Sequence, residues 1–326
     1  MTTESTPADS LSHSQDSTRV QPSLLHNIFL GPQGLRVGWR VLVYVALFRA
    51  FIAGLQFGAA HTAPIRAWLT AQPTDVIAVG TLVFSEVILV LSVFIPALIM
   101  MKIEKRPFAA YGLPSAEAFG KRFWQGVPFG FAMMSLLVAG IAAFHGYSME
   151  GVSAHGAELL RFGFLYAVGF LLTGFFEEFG FRGYLQYTLG SGIGFWPSAV
   201  VLSFLFGYAH LGNPGESKIG AFMAGSFGLL ALFSLRRTGS LWFAVGMHAA
   251  FDWTETFFYG VPDSGAPAQA YLLKSSFHGP QWLTGGSVGP EGSYVVFGVL
   301  VLSGVAIHYM FPARQEAAQG AEIRRS

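Results

Sequence analysis

The chain has 326 residues, 52% of them hydrophobic and only 11% charged, with a mean hydropathy of +0.50. A soluble globular domain carries about 25% charged residues, so a deficit of this size places the chain in the membrane class. A net charge of +1 without any basic tract argues against nucleic-acid partners, and the absence of cysteine excludes disulfides, thiol nucleophiles and thiolate metal sites.

In chain order, residues 1–23 are rich in Ser, Thr, Asp and Gln. They lack the positive and apolar regions of a signal peptide, and their polarity predicts a disordered tail reaching to residue 34. A helix needs about 20 apolar residues to cross a bilayer core of about 30 Å. Eight stretches approach that length: 37–59, 76–101, 126–144, 159–176, 196–210, 219–235, 241–259 and 294–311. Lipid offers no partner to an unpaired backbone group, so the pattern predicts an all-α fold. The expected architecture is a polytopic membrane helical bundle of about eight transmembrane helices over 35–312, with a second polar tail at 313–326. Gly and Pro mark loops at 112–114 and 213–215, and across 261–292, the last read as a plain connection. With a cytoplasmic N-terminus, the tails and even-numbered loops collect most of the Lys and Arg, including Lys102, Lys105, Arg106, Arg236 and Arg237. The odd-numbered loops hold only Arg66, Lys218 and Lys274, with Arg161 near an outer helix end. This asymmetry predicts an inner-membrane protein with both termini cytoplasmic.

An acidic residue at a helix centre costs roughly 2.5–3.5 kcal/mol on insertion scales, so each one needs a reason. The acidic residues in or against apolar helices are Glu86, Glu177, Glu178, Asp252 and Glu255, joined by His210 and His248. Glu178 and Arg182 are four apart, acid first, which is the favourable order for a helical ion pair. Glu177 projects about 100° away from Glu178 and stays free for chemistry. Phe206 precedes His210 by one turn and reads as packing, whereas Asp252 follows His248 by one turn, close enough to orient its ring. Glu86 reads as a partner of Arg49, and Glu255 as reaching toward the interface.

Peptide hydrolysis within lipid needs a water, a base and donors for the oxyanion. Glu177 suits the base, with His210 positioning or deprotonating the water. His248 can donate to the oxyanion while Asp252 holds its opposite nitrogen. The same residues admit a second mechanism, in which Glu177, His210 and His248 bind Zn²⁺ with one position open to water. A transporter also concentrates such groups, but it often shows two matching halves, and here the polar set is confined to the C-terminal half. Counting along straight spanning helices puts Glu177 and His210 at opposite ends. Their meeting therefore requires the fourth helix to continue through Arg182 to about Leu189, and the fifth to shift or tilt.

Glu-Glu-x-x-x-Arg at 177–182, Phe-x-x-x-His at 206–210 and His-x-x-x-Asp at 248–252 follow one another on successive apolar helices. This ordered set resembles the CPBP family of CAAX-protease and bacteriocin-processing membrane proteins, related to type II CAAX prenyl endopeptidases. The resemblance covers 159–259; Gly38, Trp39 and Arg40, and Arg106, Pro107 and Phe108 with Gly112 and Leu113, are also similar to bacterial members. It implies an intramembrane endopeptidase acting on a membrane-associated peptide or protein. Glu177 would be the catalytic base, Glu178 its companion and Arg182 their support. His210 would act with the water, and His248 with Asp252 would form the oxyanion side. Many members carry Asn where this chain has Asp252, and an ionised Asp cannot donate a hydrogen bond. The family has been described both as metalloproteases and as glutamate peptidases, which keeps zinc open. A non-catalytic transporter or immunity protein of the same fold is the alternative expectation.

Overall fold

The computed structural model describes residues 28–31, 34–153, 155–213 and 215–312. The predicted tails at 1–27 and 313–326 lie outside the described residues. At the end of the segment expected to be disordered to residue 34, β1 (Leu30–Gly31) pairs antiparallel with β2 (Gly34–Leu35). Arg36 closes that turn by donating to the Leu30 carbonyl at 3.2 Å. Residues up to Arg36 and those from Val37 onward form separate compact units.

From Val37 the chain forms α1 (Val37–His61), α2 (Ala63–Thr70), α3 (Val79–Glu104) and α4 (Lys121–Ala143). After β3 (Tyr147–Val152), α5 (Gly156–Phe179) runs through a π-helical turn (Gly180–Tyr184) into α6 (Leu185–Ile193). Then come α7 (Phe195–His210), α8 (Lys218–Thr238) and α9 (Trp242–Trp253), the last extended by a second π-helical turn (Thr254–Phe258). β4 (Leu273–Phe277), the short α10 (Gln281–Thr284) and α11 (Val295–Met310) complete the unit.

All eight apolar stretches are helical, but among the described residues only five helices are long and apolar enough to cross a membrane: α1, α3, α4, the continuous run Gly156–Ile193, and α8. These make the chain a multi-pass membrane protein. The expected eight are not all of that kind. α7 and α11 have 16 residues each, and α9 has 12. The case of α9 has a clear cause: every residue except Ala250 and Trp253 is buried. A helix apolar on all sides is one that is covered on all sides, and here protein does the covering. Composition cannot tell that from lipid.

Glycine lets α4 and α9 meet backbone to backbone. A Cβ at Gly126 would lie 2.2 Å from the Phe243 carbonyl oxygen, and one at Gly130 would lie 1.9 Å from that of Met247. The Gly-x-x-x-Gly spacing places both on one face, the usual arrangement for close helix contact in membranes. Gly130→Ala should therefore pry the pair apart and cost about 1–3 kcal/mol, the range for overpacking a tight core. Thermal unfolding in detergent reads this directly, and an unchanged midpoint would sink the close-packing account.

β3 pairs antiparallel with β4, with a bulge between Met149 and Gly151, so the 261–292 segment is not a plain connection. At the opposite end of the bundle, Glu104 of α3 ion-pairs with Arg40 of α1 and accepts from the Tyr184 hydroxyl at 2.5 Å. Tyr44 of α1 stacks on Tyr184 with ring centroids 4.4 Å apart. These contacts hold α1 and α3 against the first π-helical turn, immediately beyond the Glu-Glu pair.

Candidate active site

The run from α5 into α6 resolves the level of the two key residues. It continues to Ile193 and turns at Gly194, whose φ of 88° suits glycine. Glu177 lies seventeen residues before that turn and His210 sixteen after it. At about 1.5 Å per residue both stand about 25 Å from it, on the two arms of a helical hairpin. They line one cleft, together with Phe176, Phe181 and Phe206.

Helical geometry breaks where the acids sit. Gly183, inside the π-helical turn, has φ −86° and ψ −110°. π-turns of this kind are frequent at functional sites. The turn carries Arg182 into the interior at 1% exposure, where it donates to Glu178 Oε1 and to the Glu177 carbonyl, both at 3.3 Å. Its guanidinium lies 4.0 Å from the centroid of Phe206. On α8, Gly228 leaves room for it: a Cβ there would sit 2.4 Å from Arg182 Nη2.

Glu178 does more than pair with arginine. Its Oε1 also accepts from His248 Nδ1 at 2.7 Å, tying α5 to α9. A carboxylate only accepts, so the Nδ1 proton of His248 is fixed and Nε2 faces the other way. There it lies 3.5 Å from Glu177 Oε2 and 3.5 Å from Asp252 Oδ2. The expectation that Asp252 holds the nitrogen opposite the reacting one is corrected. Glu178 holds Nδ1, while Asp252 shares the Nε2 side with Glu177. The i, i+4 spacing does bring Asp252 to the ring, but on the face where substrate chemistry is expected.

His210 is set in the same way. Its Nδ1 contacts the Phe206 carbonyl at 2.9 Å, and since a carbonyl only accepts, that nitrogen carries the proton. A neutral ring then leaves its Nε2 lone pair free. Phe206, read from sequence as packing, thus fixes the His210 tautomer through its backbone and stacks with Arg182 through its ring. A second cleft is lined by His210, His248 and Asp252 and continues to Glu216 and Glu291.

Two further acids depart from expectation. Glu86 is buried, makes no ion pair with Arg49 among the described residues, and interacts electrostatically with Glu177 and His248. Only its isolation in an apolar helix signalled it. Glu255 does not reach the interface; it is completely buried.

Zinc bonds of about 2.0–2.2 Å bring its ligand atoms within roughly 3.5 Å of one another. Among the described residues, the one trio of His or acid groups with ligand atoms all within 4.8 Å is Glu255, Asp263 and Glu291. The set expected for zinc, Glu177, His210 and His248, is not gathered to that spacing.

Residues 159–254 match the family described as type II CAAX prenyl endopeptidase Rce1-like. The match covers all three motifs and bears out the resemblance read from them. The family is one of CAAX-type intramembrane proteases. Curated proteins yield no match to the chain.

Proposed function

We propose that the chain is an intramembrane endopeptidase that cleaves a membrane-associated peptide or protein with a glutamate-activated water. The observation that carries this reading is that Glu177 lies 3.5 Å from His248 Nε2 and lines one cleft with His210, the far nitrogen of each ring being held by a protein acceptor. Glu177 takes a proton from water, assisted by the free Nε2 of His210. The hydroxide attacks the scissile carbonyl, and His248, acting as an imidazolium with its Nδ1–H on Glu178, stabilises the oxyanion through its Nε2–H. Glu177 then returns the proton to the leaving amine. Glu178 and Arg182 orient His248 without touching substrate. Asp252 sets the charge beside His248 Nε2, which suits it better than direct donation.

The peptidase domain is assigned to 35–312, in an inner membrane with both termini cytoplasmic, on the distribution of Lys and Arg. The test uses full-length protein in liposomes with two quenched peptides of one sequence, one carrying a C-terminal prenyl thioether and one not. Wild type is expected to cut at least one, His210→Ala to lose that cleavage, and a zinc-selective chelator to leave it unchanged. Loss on chelation, restored by zinc, would replace the metal-free mechanism. Wild-type turnover retained in His210→Ala would remove the histidine from the chemistry.

A further inference from the structure

The trio at Glu255, Asp263 and Glu291 lies outside the residues assigned to chemistry. Glu255 stands in the π-helical turn that follows α9, is 0% exposed, and neither of its carboxylate oxygens has a hydrogen-bond partner. A buried carboxylate without donors is among the costliest groups a protein can hold, unless a cation or a proton meets it. Asp263 and Glu291 come from the 261–292 segment, and one oxygen from each of the three acids lies within 4.8 Å of the others. No Lys or Arg among the described residues ion-pairs with any of them.

The two loop acids are aimed. Thr256 Oγ1 donates to Asp263 Oδ2 at 3.2 Å, while the Ser264 N–H and hydroxyl donate to Glu291 Oε2 at 3.3 and 3.2 Å. Gly289, at φ 107°, lets its backbone pass against the Pro262 carbonyl, and a Cβ there would lie 3.5 Å from Glu255 Oε1. Donors thus satisfy one oxygen on each loop acid and leave Glu255 for something else.

We propose that Glu255, Asp263 and Glu291 bind one hard divalent cation of the calcium class, which fastens the 261–292 segment onto the end of α9. An all-oxygen donor set selects such an ion over zinc. Calcium–oxygen bonds of about 2.3–2.6 Å place ligand oxygens up to about 5 Å apart, which accommodates the observed spacing. Glu291 also lines the cleft that holds His210 and His248, so the cation would set one wall of that cleft. Burial, with the charge of Asp263 and Glu216 beside it, pushes Glu291 up to about 8. Burial pushes Asp263 up to about 6, with Glu177 adding to the rise and Thr256, His210 and His248 opposing it.

The test is metal binding to the purified full-length protein in detergent, stripped with EDTA and then titrated with CaCl₂ at pH 8. Wild type is expected to show a calcium-dependent rise in unfolding temperature and tryptophan-sensitised terbium luminescence that calcium displaces. Half-effect is expected at about 10⁻⁴–10⁻³ M, as in calcium sites of modest affinity. Glu255→Gln should lose both signals, and Glu291→Gln should weaken them at least tenfold. Terbium binding to wild type needs no variant to fold. Absence of both signals from wild type at millimolar calcium would overturn the proposal, as would equal shifts in Glu255→Gln. A metal-free Glu255→Gln variant that is stabilised at pH 8, beside an unresponsive wild type, would identify shared protons instead. None of these readouts depends on peptidase activity.

Discussion

Glu177→Gln is expected to lower single-turnover cleavage by about 10²–10⁴-fold, the usual contribution of a general base. At about 1.36 kcal/mol per decade this is about 2.7–5.4 kcal/mol of transition-state stabilisation. The unfolding temperature should stay within a degree or two, because the amide is isosteric and the site already tolerates some solvent. The Glu177 side chain is 19% exposed, against 0% for Glu178, and no arginine among the described residues ion-pairs with its carboxylate. Glu178→Gln makes the informative contrast. The amide presents one acceptor where Arg182 and His248 share a single oxygen, so it should lose both stability and rate. The comparison is made on liposome-reconstituted protein, with rate and melting measured on the same preparation. Activity retained by Glu177→Gln would remove it as the base. A rate loss matched by unfolding would reassign it to structure.

The sequence exposed the site because ionisable side chains in apolar helices are conspicuous, and because i, i+4 spacing is a geometric statement about one helix. Glu178 with Arg182, and His248 with Asp252, could be read that way. The Glu178–His248 contact could not, since it crosses from α5 to α9 between residues seventy positions apart. The role of Phe206 was hidden for a different reason. It acts through a backbone carbonyl and a ring face, and neither distinguishes it from the other aromatics of an aromatic-rich chain. Glu255 was misplaced because helical projection takes no account of the strands and turns of 261–292 that fold over it. β3 and β4 were missed because two loops far apart in sequence supply each other's edge. The count of about eight spans is not confirmed at α9, a short apolar helix that other parts of the protein cover.

The largest stability effect should come from Arg182→Met. The guanidinium sits at 1% side-chain exposure against a carboxylate at 0%, and removing one partner of such a pair costs about 3–5 kcal/mol. Glu178 Oε2 already has no hydrogen-bond partner, so after the substitution only His248 would answer the buried charge. Methionine preserves much of the aliphatic volume over Phe206, which assigns the loss to charge rather than to a cavity. Arg182→Lys should rescue only part. An ammonium on a flexible stem lacks the flat guanidinium that here lies on the Phe206 ring while its Nη1 reaches Glu178 Oε1 and the Glu177 carbonyl. The double variant Glu178→Gln with Arg182→Met should recover a substantial share of the single-variant loss, because no unpaired charge remains buried. It should not recover cleavage, since His248 would then lack the ionised carboxylate that fixes its ring. Denaturant unfolding of the four proteins in one detergent closes the cycle. Simple additivity of the two single losses would mean that the pair does not act as a unit, and that Arg182 holds the π-helical turn through Phe206 alone.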